Sequence, residues 1–328
     1  MAAIPELRLG SRGSQLALWQ AHAVAARIEQ HGGPPCRIVV IKTSGDRLQQ
    51  APLSDAGGKR LFVKEIEDAL LKREIDLAVH SSKDMPVLLP DGLRIAAVLP
   101  REDPLDAVVL PVGRNDGVGL IADLTAILAE SQAIGTSSVR RIAQLIRLWP
   151  NARFKPIRGN LDSRLRKLDE GEYDALVLAA AGLRRLGFES RISSTLPVAA
   201  CVPAPGQGIV AVEARSDDEA TRDWVASIDD GAAHVALDAE RAVVSGLGGG
   251  CQTPIGALAV PAADGTIDLT AVVVAPDGSR ALRAQARGAQ QEAVALGRNV
   301  AAQLLEQGAG EILAEAGRLN GAVEGIQP

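Results

Sequence analysis

The sequence has few aromatic residues and no large excess of either charge. Only 2% of its 328 residues are Phe, Trp or Tyr, so aliphatic side chains must fill the interior and single-stranded nucleic acid would find few rings for stacking. The formal net charge of -5 at pH 7 also disfavours an extended anionic partner. We therefore expect no nucleic-acid partner, and we expect any cationic site to be local.

Cysteine, histidine and long apolar runs are also scarce. The three cysteines (Cys36, Cys201 and Cys251) lie far apart and the four histidines are scattered, which predicts neither a disulfide framework nor a metal site. The first residues lack the basic start and apolar run of a signal peptide, and no run approaches the ~18 apolar residues of a membrane span. These observations predict a cytoplasmic protein with no membrane partner.

What the sequence does contain, near the start of its last third, is a cysteine preceded by glycines, in Gly246-Leu247-Gly248-Gly249-Gly250-Cys251. Backbone without side chains would let a bulky group approach the Cys251 sulfur, which suggests covalent attachment at this thiol. The alternative is a tight glycine turn that carries a buried structural cysteine. The segment taken alone favours this alternative, so the other motifs must decide.

The chain organisation is that of two α/β domains followed by a different domain. Short apolar runs alternate with helical patterns through the first two thirds, which is typical of sheets with crossover helices. Pro-rich residues 99–104 and Pro/Gly-rich residues 202–208 mark two crossings that would suit a hinge. The predicted limits are 1–103 for domain 1 with a return segment at 205–229, 104–204 for domain 2, and 230–328 for an α+β domain 3.

Small hydroxyl residues and arginines occupy three predicted strand-to-helix junctions, at residues 11–14, 135–141 and 158–160, with Arg164 close behind. Helix N-termini offer unpaired N–H groups and partial positive charge, which suits carboxylate or phosphate. Taken singly, each junction is better explained by a helix cap beside a solvated arginine. Arginine at the positive end of a helix costs ~0.3–1 kcal/mol, however, so its repetition indicates a polyanionic ligand in the crevice where such junctions meet.

Lys83 and Asp84 follow the third predicted strand, after His80. Such a pair is often only surface charge, and a lone histidine is often structural. At the mouth of a cleft lined by arginines, Asp84 would instead be the one acid in a cationic site. An ionised carboxylate there can stabilise a developing positive charge.

Taken in order, these motifs resemble the porphobilinogen deaminase family over nearly the full length of the chain. The segments that carry the resemblance are residues 11–14, 16–20, 57–59, 61–65, 80–86, 101–104, 135–141, 158–160, 206–208 and 249–256. The resemblance implies a monomeric transferase of tetrapyrrole synthesis that joins four porphobilinogen molecules head to tail, with loss of ammonia, to give hydroxymethylbilane. The implied fold is two hinged periplasmic-binding-protein-like α/β domains plus a small α+β C-terminal domain.

The resemblance also implies a dipyrromethane cofactor, made from the substrate and attached covalently to Cys251. It implies that Asp84 is the catalytic carboxylate, which stabilises the positively charged pyrrole nitrogen. The implied cofactor-binding residues are Ser81, Lys83, Thr136, Ser138, Arg140, Arg141, Arg158, Gly159 and Arg164 beside Cys251 itself. The implied substrate-binding residues are Arg12, Ser14, Lys59, Phe62, Arg185 and Gln207.

A second hypothesis from another class stays open at this point. A hinged, non-catalytic binding protein for a small polycarboxylate would use the arginines and the hinge equally well. It would leave Cys251 and Asp84 without a role.

Overall fold

The computed structural model describes residues 6–47, 63–114, 121–128, 132–250 and 253–324. The sequence predictions for Lys59, Phe62 and Cys251 lie outside these ranges. Within them, the chain forms two five-stranded sheets and one three-stranded sheet. No described helix is both long enough and apolar enough to cross a membrane.

The strands are short, and their ranges follow in chain order: β1 (Leu7–Ser11), β2 (Cys36–Val40), β3 (Leu77–Ser81), β4 (Leu93–Val98), β5 (Asp106–Val109), β6 (Ala133–Gly135), β7 (Arg153–Lys155), β8 (Ala175–Ala179), β9 (Ser194–Thr195), β10 (Val210–Arg215), β11 (Ile255–Pro261), β12 (Thr266–Val274) and β13 (Ala281–Ala289). The helices lie between and after them: α1 (Gln15–Gln30), α2 (Ser44–Arg47), α3 (Lys64–Leu71), α4 (Ile121–Leu128), α5 (Val139–Leu145), α6 (Leu161–Asp169), α7 (Ala180–Arg185), α8 (Glu219–Ala226), α9 (Gly231–Gly246), α10 (Ala293–Glu306) and α11 (Ala309–Glu324).

Local sequence signals explain several of these boundaries. Helix α1 begins after Ser14, whose hydroxyl accepts a hydrogen bond from the amide of Ala17, and its buried face carries residues at helical spacing such as Ala21, Val24 and Ile28. The turn at residues 276–279 joins β12 to β13 as its Pro-Asp-Gly-Ser sequence predicts, because Gly278 adopts a φ of 75°. Capping, periodicity and turn chemistry therefore fix these elements locally.

The first two sheets share one arrangement. The first has the order β2-β1-β3-β10-β4 and the second the order β7-β6-β8-β5-β9. In each, four strands run in one direction, and the fifth pairs antiparallel with its two neighbours: β10 in the first sheet and β5 in the second. Both antiparallel strands follow a crossing, since the chain enters the second sheet through β5 and returns to the first through β10.

The third unit is an antiparallel sheet, β11-β12-β13, covered by α9 and α10. Its core is made of Ala, Val, Leu and Ile, and aliphatic residues also dominate the cores of the other two sheets, as the scarcity of aromatic residues predicts. The predicted fold class, two α/β units and a small C-terminal α+β unit, is confirmed. We propose the domain limits given above, which assign one sheet to each domain.

A buried ion pair joins the C-terminal unit to both crossings. Arg101 follows β4, and its Nη1 lies 2.6 Å from Oε1 of Glu240 in α9, a side chain with no exposed surface. The same carboxylate accepts hydrogen bonds from the amides of Gly206 (2.6 Å), in the return crossing, and Ala259 (2.8 Å), in β11. One carboxylate therefore ties together three parts of the chain.

We expect Arg101→Met to lower the free energy of unfolding by about 3–5 kcal/mol, because it leaves the charge of Glu240 buried without its cation. Urea denaturation monitored by tryptophan fluorescence measures the change. The matched control is Arg37→Met, which removes an exposed pair with Glu6 and should have little effect. Equal decreases in unfolding free energy in the two variants would contradict a stabilising role for the buried Arg101–Glu240 ion pair.

Candidate active site

A cleft of about 380 Å³ lies between the first two sheets, at the carboxyl ends of their parallel strands. It receives residues that follow β1, β3, β6 and β8, where open α/β sheets usually bind ligands. The three anion-binding junctions predicted from the sequence meet in this cleft. The predicted site residues that line it are Arg12, Ser14, Ser81, Lys83, Asp84, Arg141, Arg158, Gly159 and Arg164.

The charged residues that line the cleft are unbalanced. Five are cations, and the one acid among the described lining residues is Asp84. Apolar side chains complete the walls, among them Leu16, Ile157, Leu161 and Leu178. Sequence reasoning did not single out this apolar component, which carries no signal beyond the ordinary patterns of strand and helix. The combination suits a ligand that has several anionic groups on an apolar body.

Asp84 ends a short 3-10 turn, Ser82–Asp84, that follows β3 directly. The turn is anchored by the buried side chain of Met85, whose amide donates to the carbonyl of Ser82 over 3.1 Å. Asp84 itself is exposed on the cleft wall. Strand and anchor therefore fix the backbone of this carboxylate, while its oxygens stay accessible to a ligand.

Lys83 is half-buried beside Asp84, and its Nζ donates to Oε1 of Gln207 over 3.3 Å. Burial lowers the pKa of Lys83 from 10.5 to about 8, and the nearby charge of Arg141 acts in the same direction, whereas Asp84 and Asp106 oppose it. The ammonium group of Lys83 is therefore mostly charged at neutral pH, and its pKa lies only about one unit above that pH. A bound anion would stabilise its charged form.

Arg164 of α6 is a cation with no ion-pair partner among the described residues. Its Nε donates to the carbonyl of Gly159 over 2.8 Å, and Gly159 adopts a φ of 108°, which favours glycine at this position. Burial lowers the pKa of Arg164, and the charge of Arg141 adds to this effect. The nearby charge of Asp84 opposes both effects in part, and a bound anion would add to this compensation.

Asp106, at the start of β5, is the central residue that sequence reasoning missed. Its side chain is completely buried, and it lies 2.7 Å from Nη1 of Arg140 and 2.7 Å from Nη2 of Arg141. Burial alone would raise the pKa of Asp106, but the two guanidinium groups hold it well below its usual range. The sequence did contain one signal for Asp106, an acidic residue at the start of an otherwise apolar strand. A buried carboxylate of this kind requires nearby cations.

Arg140 does not line the cleft as the sequence predicted for it. It is 4% exposed and lies behind Arg141, where it donates to Asp106 and to the carbonyl of Val202 (2.7 Å). Burial alone would lower the pKa of Arg140, but the charge of Asp106 raises it above its ordinary value. Consecutive residues on a helix point in different directions, so only one of the two arginines reaches the ligand side.

Four other predicted residues also lie outside the cleft lining. Thr136 is buried, and the Ser138 hydroxyl caps α5 by accepting from the amide of Arg141 over 3.4 Å. Gln207 is buried between Lys83 and Asp106. Arg185 lies over the ring of Trp19, 5.4 Å from its centroid, in a separate pocket of about 350 Å³.

The two described cysteines have poorly reactive thiols. Cys201 has no exposed surface, and burial, followed by the charge of Asp106, raises its pKa to about 12. Burial, followed by Glu29 and Glu6, raises the pKa of Cys36 to about 11. Since the thiolate is the nucleophile, neither suits covalent attachment at neutral pH.

The glycines before Cys251 are subject to different structural constraints. Gly248 adopts a φ of 64°, and a Cβ on Gly249 would collide with the side chain of Ile255. Gly250 has neither constraint, since a Cβ there would meet open space. Loop geometry and packing therefore explain Gly248 and Gly249, and neither explains Gly250.

The helix that leads into this loop contacts the segment that follows Asp84. Arg241 of α9 donates through Nη2 to the carbonyls of Pro86 (2.9 Å) and Val87 (2.6 Å). These bonds link the C-terminal unit to the strand end that carries Lys83 and Asp84.

The chain is similar to known proteins over most of its length. The family model "Porphobilinogen deaminase, dipyromethane cofactor binding domain" matches residues 7–223, and "Porphobilinogen deaminase, C-terminal domain" matches residues 235–306. The chain is 46% identical over 310 residues to a porphobilinogen deaminase of Syntrophobacter fumaroxidans and 48% identical over 308 residues to one of Acidithiobacillus ferrooxidans; each match covers 94% of this chain and 97% of the relative. Among solved structures, immunogenic lipoprotein A from Vibrio vulnificus is similar with a TM-score of 0.42 and 13% identity, covering 70% of this chain and 96% of that one.

We expect Asp106→Asn to lower the free energy of unfolding by about 3–5 kcal/mol at neutral pH, because two buried guanidinium groups lose their counter-charge. A carboxylate whose pKa is depressed in the fold stabilises it above the unfolded pKa of about 3.9 and loses this effect as the pH falls. The gap between wild type and variant should therefore narrow below about pH 4. Urea denaturation at several pH values measures it.

The control is Asp223→Asn, at an exposed position on α8, which should change the stability little. A gap between wild type and Asp106→Asn that stayed constant down to pH 3 would contradict the depressed pKa.

Proposed function

The chain belongs to the porphobilinogen deaminase family, and on this premise we propose how its cleft carries out the reaction. The enzyme condenses four porphobilinogen molecules head to tail, releases ammonia and forms hydroxymethylbilane in tetrapyrrole synthesis. The observation that carries the proposal is one exposed carboxylate, Asp84, in a cleft whose other charged lining residues, among those described, are five cations.

We propose that the cations bind the acidic side groups of the pyrroles. Each added pyrrole brings two carboxylates, which guanidinium groups hold by charge-assisted and often bidentate hydrogen bonds. Arg12 and Ser14 lie on the wall formed by the first sheet, whereas Arg141, Arg158 and Arg164 lie on the opposite wall. The apolar lining packs against the ring faces.

Asp84 is proposed as the catalytic residue. Loss of ammonia leaves positive charge on the pyrrole nitrogen of the substrate, and a fixed carboxylate nearby lowers the energy of that state. Because the other charged groups that line the cleft are cations, Asp84 is the lining group that can perform this role.

The cleft fits the cofactor that the matched family description names. Its cations suit the carboxylates of a dipyrromethane, and its apolar lining suits the pyrrole rings. When bound, the cofactor supplies the pyrrole end from which the product chain is extended. We propose that Ser81, Lys83, Arg141, Arg158, Gly159 and Arg164 contact it, and that Thr136, Ser138 and Arg140 support these residues from behind.

We propose Cys251 as the attachment point. The raised pKa values of Cys36 and Cys201 make them poor nucleophiles, and Gly250 leaves open space immediately before Cys251. Helix α9 also brings this loop's unit into contact with the backbone just beyond Asp84. The substrate-binding roles of Lys59 and Phe62 stay proposals for residues outside the described ranges.

We further propose a cytoplasmic monomer that acts on a small-molecule substrate, without a nucleic-acid or membrane partner. The competing hypothesis of a non-catalytic polycarboxylate-binding protein is not favoured, because the family match spans both the cleft and the C-terminal unit. It also leaves an acid at the centre of an anion site unexplained.

We expect the intact mass of the denatured protein to exceed the sequence mass by one dipyrrole, and Cys251→Ser to remove this excess, because the other thiols cannot replace it. Mass spectrometry of whole protein and peptides measures both. The matched control is Cys36→Ser, which should keep the added mass. An active wild-type preparation with an unmodified Cys251 would refute the attachment.

We expect Asp84→Asn to lower kcat by about 10²–10³-fold, since it removes the charge that stabilises the transition state and keeps the side-chain shape. Turnover is measured as hydroxymethylbilane formation, and the mass assay should show cofactor still bound. Asp91→Asn, at an exposed turn position seven residues later, is the control and should retain wild-type kcat.

The same variant tests the competing hypothesis. A simple binding protein would bind a polycarboxylate as well or better after losing a negative charge, and a wild-type protein without turnover would support that hypothesis.

A further inference from the structure

Gln207 connects the two walls of the cleft at the second crossing, and its amide group has only one possible orientation. Nε2 donates to the carbonyl of Pro104 (2.7 Å) and to Oδ1 of Asp106 (2.9 Å). Both N–H donors are thereby used on groups that can only accept, so the amide cannot flip. Oε1 must therefore face the other way, where it accepts from Nζ of Lys83 at 3.3 Å.

Asp106 fixes this arrangement from the side of the second sheet. Its carboxylate is held by Arg140 and Arg141 of α5, so its position follows that of the arginine wall. Lys83, in contrast, belongs to the end of β3 in the first sheet. The Asp106–Gln207–Lys83 series is thus a continuous polar connection from one wall to the other.

Lys83 needs such a contact because of the charges around it. It faces Arg140 and Arg141 from α5, Asp106 from β5 and Asp84 from its own turn. The two arginines repel the ammonium group, and burial disfavours its charge. A neutral acceptor at a fixed point holds the ammonium group in place without cancelling the charge that a ligand carboxylate requires.

We propose that Asp106 and Gln207 are positioning residues for Lys83: they hold its ammonium group in a set position relative to Arg141, so that cations from both sheets meet the same acidic ligand in register. Neither residue touches the ligand. This inference rests on the proposed function for the identity of that ligand, but its geometry and its first test do not require turnover.

If Gln207 had a purely structural role, fewer of its hydrogen bonds would matter. Joining the crossings requires only its two donated hydrogen bonds and its main-chain carbonyl, which accepts from Nε of Arg101 over 2.9 Å. The bond from Lys83 would then be incidental. The state of Lys83 in Gln207 variants therefore separates the two roles.

The test is an NMR titration of 13Cε-lysine-labelled full-length protein, in which Lys83→Arg assigns the Lys83 signal. The wild-type midpoint is expected at or above about 8, because carboxylates of the bound cofactor would stabilise the charged ammonium group. Gln207→Met removes an acceptor of the charged form and should lower the midpoint by about one unit, since a hydrogen bond to a charged group contributes roughly 1.5 kcal/mol. Gln207→Leu removes the same acceptor and should lower the midpoint by a similar amount.

The matched control is Gln144→Met. Gln144 is also a buried glutamine at the second crossing, where it accepts from the amide of Val202 (2.7 Å) and donates to its carbonyl (3.1 Å), without contact to Lys83. Its substitution should destabilise the fold but leave the Lys83 midpoint unchanged. Equal midpoints in Gln207→Met and Gln144→Met would overturn the proposal, and Gln207→Leu provides the same decision if Gln207→Met does not fold.

Steady-state kinetics adds a second readout. The alkaline limb of kcat/KM for porphobilinogen should move to lower pH by about one unit in Gln207→Met and stay in place in Gln144→Met. An inactive wild type would refute the proposed function, while the NMR titration would still decide the role of Gln207. A shifted midpoint without a shifted kinetic limb would overturn the claim that this position matters for the ligand.

Discussion

One buried carboxylate makes the cationic cleft possible. Arginines and a lysine gathered in a desolvated space repel each other, and a fold that held them without an internal counter-charge would be strongly destabilised. Asp106 supplies that charge from within the second sheet, behind the wall. It is shared between two arginines, so one of them, Arg141, still presents positive charge to the ligand. The fold thereby stabilises a cleft whose remaining positive charge is balanced only by the anionic groups of a bound ligand.

The two walls of the cleft belong to different sheets, so the spacing of their cations depends on the crossings. The Arg101–Glu240 pair and the Asp106–Gln207 contact both lie there, where the chain passes from one sheet to the other. Structural support and ligand recognition are therefore concentrated in the same short segments. The C-terminal unit takes part through Glu240 and Arg241, which bind the backbone of the crossing and of the segment beyond Asp84.

The sequence predicted the features that follow from local rules, and it missed those that depend on distant partners. Strand-to-helix junctions with small hydroxyl residues could be placed in one crevice because the carboxyl ends of parallel strands converge. Asp106 could not be recognised, since its partners Arg140 and Gln207 are 34 and 101 residues away along the chain. Arg140 and Arg141 are both buried, and the rotation of α5 against its sheet decides that Arg141 is the one that reaches the cleft lining. The antiparallel direction of β5 and β10 was also hidden, because a buried strand has the same apolar pattern in either direction.

The place of β10 between β3 and β4 has a consequence for biosynthesis. β4 ends at Val98 and β10 begins at Val210, so β4 leaves the ribosome roughly 110 residues before the strand that joins it to its sheet. At about 5–20 residues per second, the edges of β3 and β4 stay unpaired for roughly 6–22 seconds before β10 is synthesised. The second sheet, whose strands are contiguous in the chain, can assemble during that interval. The N-terminal sheet is thus begun first and completed later, and nascent chains are most vulnerable to chaperone capture or mispairing before residue 215 emerges.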